Sequence, residues 1–274
     1  VRISRPLGVT LTCAALALTA TACGSSAKSS DTAPTSAAVA PSDAAASPAA
    51  ASGSPAASAG PDLSTMTAAQ IVKAAEDALS GAQSVKIDLQ TPSASGTSTV
   101  KLATDAKSGC TGTVTMPGKG TADVVVDTAK TTYLKPDDTY LKAMGGAKAV
   151  TLLHGKWLTN ATTADPALAG MVGFCDIKQF AAGMDDGSTA TKGQAATVNG
   201  QPALTLQEVD KSGIKSTLWV ATQGPAYPLQ ASGGNGTGGT DKMTLSDYNV
   251  PVTVTVPSAD QVVDFAKLKA TLGH

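Results

Sequence analysis

Val85, Ile87 and Leu89 alternate strictly with Lys86, Asp88 and Gln90 in the stretch SVKIDLQ. Successive side chains of a strand point to opposite faces, so this segment buries one face and wets the other. The same period of two recurs at Val100 and Leu102, at Val114 and Met116, and at Val124 and Val126. It returns at Leu204 and Leu206, at Leu218 and Val220 behind Ile214, at Tyr227 and Leu229, and at Met243 and Leu245. Val252, Val254 and Val256 alternate once more. Glycine, proline and polar clusters separate the runs at roughly the 8–12-residue spacing of a meandering antiparallel sheet. No helical run alternates with each strand, which excludes a doubly wound parallel sheet.

Helical period shows elsewhere. Thr67 to Gln70 reads T-x-x-Q, a capping box. Ile71, Val72, Ala75, Ala78 and Leu79 follow at helical spacing, with Gly81 placed as the C′ residue. From Pro136 to Met184 the strand rhythm breaks. There Ile177, Phe180 and Ala181 predict a short helix behind Asp176, and SADQVVDFAKL predicts another from Ser258. The expected order is one helix, about five strands, a helical insert, about four strands and a tail. The fold class is α+β: a curved antiparallel sheet packed on a few helices, enclosing a hydrophobic cavity where the helices stand off its apolar face. Val85, Ile87, Leu89, Val100, Leu102, Val114, Val124, Leu204, Leu206 and Leu218 are the candidate cavity residues. Residues 63–274 suffice for one such domain.

The preceding residues read differently. Arg2 and Arg5 open a short apolar run through Leu7, Val9, Leu11 and Leu16 to Leu18, with no charge before Lys28. That run is too short for a transmembrane helix and has the form of an export signal over residues 1–22. Cys23 stands behind Ala20, Thr21 and Ala22 and ahead of Gly24, the small-residue setting of a bacterial lipobox. Its thiolate is the expected site of diacylglyceryl attachment, and Cys13, behind the larger Thr12, is the weaker competitor. The other reading is a secreted chain cleaved near Ala22. Residues 23–62 are almost all Ser, Ala, Pro, Thr and Gly, with too little apolar surface to offset ordering. They read as a disordered tether of roughly 35 Å root-mean-square span.

Cys110 and Cys175 remain as an even pair in an exported domain, where disulfide pairing is the default. They lack the spacing of a redox or metal pair. Catalytic signals are weak. His154 has no neighbouring ligand set, and His274 ends the sequence. Gly234, Gly236 and Gly239 match G-x-G-x-x-G, but a strand pattern follows where the dinucleotide fingerprint needs a helix. Asp137–Asp138 and Asp185–Asp186 sit beside Pro136 and Gly187 and read as turn residues. Trp157 and Trp219 read as packing anchors. The chain is therefore not expected to be an enzyme, and no cofactor or metal is expected. Net charge is −1 and aromatics are 3%, so the phosphate-neutralising charge and stacking platforms of a nucleic-acid binder are missing.

TTYLKPDDTYLKAMGG, GKWLTN, STLWVATQGPAYPLQASG and LSDYNVPVTVTVPSADQVVD together resemble the actinobacterial LppX/LprG-type lipoproteins. The similarity spans most of residues 63–264. It implies a LolA/LolB-like half-barrel with a lipid-binding cavity on the extracytoplasmic face of the cell membrane. It also implies carriage of acylated lipids or lipoglycans, sometimes with a membrane permease, and no catalytic residues. The competing reading is an interaction or sensor lipoprotein with a filled core that contacts a membrane or wall partner.

Overall fold

The computed structural model describes residues 60–159, 170, 172–184, 186–235 and 239–267. The export signal, Cys23 and the tether up to residue 59 lie outside the described residues. Among those described, twelve strands form one open, curved sheet. They are β1 (Ser84–Ser93), β2 (Gly96–Asp105), β3 (Gly109–Met116), β4 (Gly120–Val126), β5 (Thr132–Pro136) and β6 (Trp157–Thr159), then β7 (Thr189–Val198), β8 (Gln201–Val209), β9 (Lys215–Ala221), β10 (Pro228–Gly234), β11 (Thr240–Ser246) and β12 (Val262–Asp264). Their spatial order is β12-β6-β5-β4-β3-β2-β1-β11-β10-β9-β8-β7. Every neighbouring pair is antiparallel except β12 with β6.

Register turns the alternation into continuous apolar rows. Leu206, Leu218, Ala231, Met243, Leu89, Val100 and Val114 stand opposite one another in turn from β8 across to β3. A second row runs Leu245, Ile87, Leu102, Gly112, Val124, Leu134 and Leu158. Gly112 keeps that row closed. A Cβ there would lie 1.9 Å from the Lys101 carbonyl oxygen and 2.9 Å from Leu102 Cδ2, so only glycine lets β2 approach this closely.

Helices cover this inner face. α1 (Ala68–Ser80) starts on the expected capping box. Thr67 Oγ1 accepts from the Gln70 amide at 3.2 Å, and Gln70 Oε1 accepts from the Thr67 amide at 2.8 Å. Ile71, Ala75 and Leu79, four residues apart, are fully buried. Gly81 ends the helix with φ −82°, in the right-handed region, not as the left-handed C′ residue expected. The insert supplies α2 (Asp138–Leu153), kinked where Gly145 and Gly146 leave helical geometry. Asp137 is its N-cap, accepting from the Tyr140 amide at 2.6 Å, so the first acidic pair belongs to a helix start. The predicted short helix is α3 (Ile177–Ala182), capped by Asp176.

The disulfide is present. Cys110 on β3 bonds Cys175, at the end of a 3-10 turn over Gly173–Cys175, with Cα atoms 5.3 Å apart. Thr104 Oγ1 donates to the Phe174 carbonyl at 3.2 Å beside it. The bond therefore ties the helical insert to the first group of strands.

Three expectations are corrected. The second group holds five strands, not about four, because β7 was missed. Its side chains are mostly exposed on both faces, as an edge strand allows, so no apolar alternation marks it. Residues 251–258 form no strand: Val256 is 45% exposed, and the segment joins no ladder. The tail from Ser258 is a 3-10 turn over Ala259–Gln261 and then β12, because Val262 and Val263 pair with Trp157 and Leu158 at the sheet edge. Helical geometry begins only at Phe265.

The other face of β8 carries a smaller cluster of Val198, Ala203, Ala221 and Leu229. Trp219 packs against it, and Tyr227 and Tyr248 stack beside it at 3.9 Å between ring centroids. Burial raises the Tyr248 pKa well above the usual value, with the Tyr227 hydroxyl adding to it. Its hydroxyl donates to the Pro228 carbonyl at 2.5 Å. Trp157 is half-buried on β6, with Lys135 Nζ 5.9 Å from its ring centroid.

Candidate ligand cavity

One end of the inner face opens into a cavity of about 420 Å³. Such a volume lies within the ~300–1,000 Å³ common for small-molecule sites. Leu89, Leu218, Ala231 and Met243, successive members of the first apolar row, form its floor. Met184, just after α3, closes one side. Two residues further along each strand the character changes. Glu208, Ser216, Gly233 and Asp241 form a row across β8 to β11, and all four line the cavity.

Of the four carboxyls that line the cavity among the described residues, two, Glu208 and Asp241, come from this row, the others being Asp186 and Asp210. Glu208 accepts from Ser216 Oγ at 3.4 Å, and burial raises its pKa. Asp241 is 4% exposed. Its Oδ1 accepts from Asn235 Nδ2 at 3.1 Å, while its Oδ2 has no hydrogen-bond partner. Burial raises the Asp241 pKa, opposed by the Asn235 amide and the Thr91 hydroxyl. Removing a carboxylate from water disfavours its charged form, which accounts for both directions.

The ten cavity candidates separate. Leu89 and Leu218 line this space, while also belonging to the main core cluster. Val85, Ile87, Val100, Leu102, Val114, Val124 and Leu206 are buried in the main core cluster with the inward side chains of α1 to α3. Leu204 is half-buried and borders a second cleft, where residues 60–64 pass over β8. The cavity also uses Met184, Ala231, Met243, Glu208 and Asp241, which were not among the candidates. A signal for the two acids existed. Glu208 continues the inward phase of Leu204 and Leu206, and Asp241 that of Met243 and Leu245.

Of the residues that carried weak catalytic signals, Gly234 and Asp186 line this cavity and His154 lies away from it. His154 is exposed at the end of α2, its Nδ1 2.7 Å from Asp138 Oδ1. Gly234 and Thr240 pair across the β10–β11 hairpin, so a strand follows the glycine run, while Gly236 lies outside the described residues. Asp186 accepts from the Ser188 amide at 2.9 Å, and Asp185 also lies outside them. Among the described residues, no group of three or more His, Cys, Asp or Glu stands close enough to hold a metal ion. No helix among them is long and apolar enough to cross a membrane.

No protein-family model matches the chain, and no curated protein matches it. Solved structures do. LprF from Mycobacterium bovis aligns with a TM-score of 0.50 at 16% identity, over 70% of this chain and 97% of that one. The chain has the LprF fold. The likeness to LppX/LprG-type lipoproteins seen in the sequence therefore holds for the fold. Lipoprotein LppX from Mycobacterium tuberculosis aligns at TM-score 0.40 and 15% identity, over 68% of this chain and 97% of that one. A LolA superfamily protein from Nitrosomonas europaea aligns at 0.25 and 10%, over 69% and 96%.

Proposed function

We propose that this LprF-like chain is a non-enzymatic lipoprotein, anchored on the extracytoplasmic face of the membrane, that binds and carries a hydrophobic ligand. The cavity between the inner face and Met184 carries the reading, because an apolar floor ending in polar groups suits a ligand with a chain and a head. The class of cargo is an acylated lipid or lipoglycan. A membrane permease is the partner that the family likeness suggests.

The anchor rests on Cys23 and its small-residue setting. A diacylglyceryl group adds enough buried CH₂ to hold a protein at a bilayer where one chain does not. Cys23→Ser is expected to shift the protein from the membrane fraction to the medium. Unchanged membrane retention would overturn the anchor.

Cargo is tested by organic extraction and mass spectrometry of the purified protein. Lipid is expected with the wild type and absent from Leu218→Trp, which places an indole in the cavity. Leu206, opposite Leu218, is fully buried in packed core. There the same enlargement is expected to cost about 1–3 kcal/mol of stability. Folded wild type devoid of lipid would instead favour an interaction module. That second reading draws on the seven candidates of the core cluster that do not line the cavity.

A further inference from the structure

Asp241 is a buried acceptor with one oxygen, Oδ2, left without a hydrogen-bond partner. It sits in phase with Met243 and Leu245 on β11, so its side chain faces the cavity and not solvent. Asn235 Nδ2 is committed to Oδ1 and to the Pro92 carbonyl, at 3.1 Å and 3.2 Å. Oδ2 remains open. A buried carboxylate oxygen left unpaired is costly, and proteins rarely keep one without a reason. Among the described residues, no lysine or arginine forms an ion pair with Asp241 or Glu208. Gly233, between Ser216 and Asp241 in the row, adds no side chain. A Cβ there would meet Ser216 Cβ at 2.9 Å.

We propose that the cavity selects amphiphiles whose head carries hydrogen-bond donors, an ammonium or hydroxyl group, with that donor seated on Asp241 Oδ2. The chain of the ligand lies along Leu218, Met243 and Leu89. An ionised carboxylate only accepts, so a donor completes its coordination. A carboxylate or phosphate head would instead face Asp241 and Glu208 together, at the cost of like-charge repulsion in a poorly solvated space. This selection rests on the hydrophobic-ligand reading and adds the chemistry of the head.

The test is displacement of N-phenyl-1-naphthylamine fluorescence from the purified full chain by three twelve-carbon amphiphiles below their micelle concentrations. Dodecylamine and 1-monododecyl glycerol are expected to displace the dye at about tenfold lower concentration than dodecanoate, the scale of one charge-assisted hydrogen bond. If only the amine shows the preference, the head is an ammonium; if both do, a hydroxyl suffices. Asp241→Asn presents an amide where the open oxygen stands. It is expected to shrink the preference to about twofold or less while dye binding persists. Glu208→Gln is the second variant, expected to weaken discrimination against dodecanoate; with the wild-type ranking it decides the matter should Asp241→Asn fail to fold. Dodecanoate displacing as well as the other two, or a preference that survives both variants, overturns the selection and leaves hydrophobic binding standing. Absence of binding by the dye and all three amphiphiles overturns the hydrophobic-ligand reading itself.

Discussion

The chain with Cys110→Ser and Cys175→Ser together is expected to unfold with about 4 kcal/mol less stability than the disulfide-bonded protein. The bond closes a loop of 65 residues, and cross-linking a loop of that length removes much of the freedom of the unfolded chain. Both sulfurs belong to buried residues, so the serines would also place hydroxyls among apolar neighbours. The loss should fall chiefly on the seat of the insert, where the 3-10 turn packs on β2 and is bonded to β3. Urea unfolding under non-reducing conditions measures it, from the midpoint at matched slope. A difference below about 1 kcal/mol would mean that packing and the Thr104–Phe174 hydrogen bond hold the insert without the bond.

Ile71→Ala is expected to cost about 3–4 kcal/mol, within the range for truncating a fully buried aliphatic side chain. Ile71 is one helical turn past the Thr67 cap and has no exposed surface. Truncation leaves a void beneath α1 that the sheet cannot close, since the strands are held by their ladders. Val72 is only half-buried on the same helix, so Val72→Ala should lose less than half as much. Equal losses at the two positions, read from thermal or urea unfolding, would contradict the seating of α1.

Alternation made the inner face readable from Val85 to Val126 and again from Leu204 to Leu245. Those side chains must all point one way, whatever lies above them. The capping box at Thr67 was readable because its two hydrogen bonds are local. β7 was hidden because both its faces are wet, yet Asn199 and Gly200 carried a turn signal. Their φ values of 49° and 82° make the tight hairpin to β8, a conformation that Asn-Gly favours. Val252 to Val256 showed the opposite error, since alternation without a partner strand makes no sheet. The cavity was the least legible part. Which inward residues face a void and which face a helix depends on where α1 to α3 sit, and no local pattern encodes that. Glu208 and Asp241 were the exception, because an acid in an apolar phase is visible in one dimension.

The middle of the sheet is a seam between distant parts of the chain. β1 pairs with β11 on one side and β2 on the other, and Gln83 donates to Asn249 Oδ1 across 166 residues. Synthesis runs from the N-terminus, so β1 shows an unpaired edge until residue 246 has been made. The hairpins on either flank form from local contacts, but the seam must close a loop spanning most of the domain, and contacts of such high order slow folding. An open, half-apolar strand edge is also a template for foreign strands. Truncation before β11 therefore yields not a smaller version of this protein but an adhesive one.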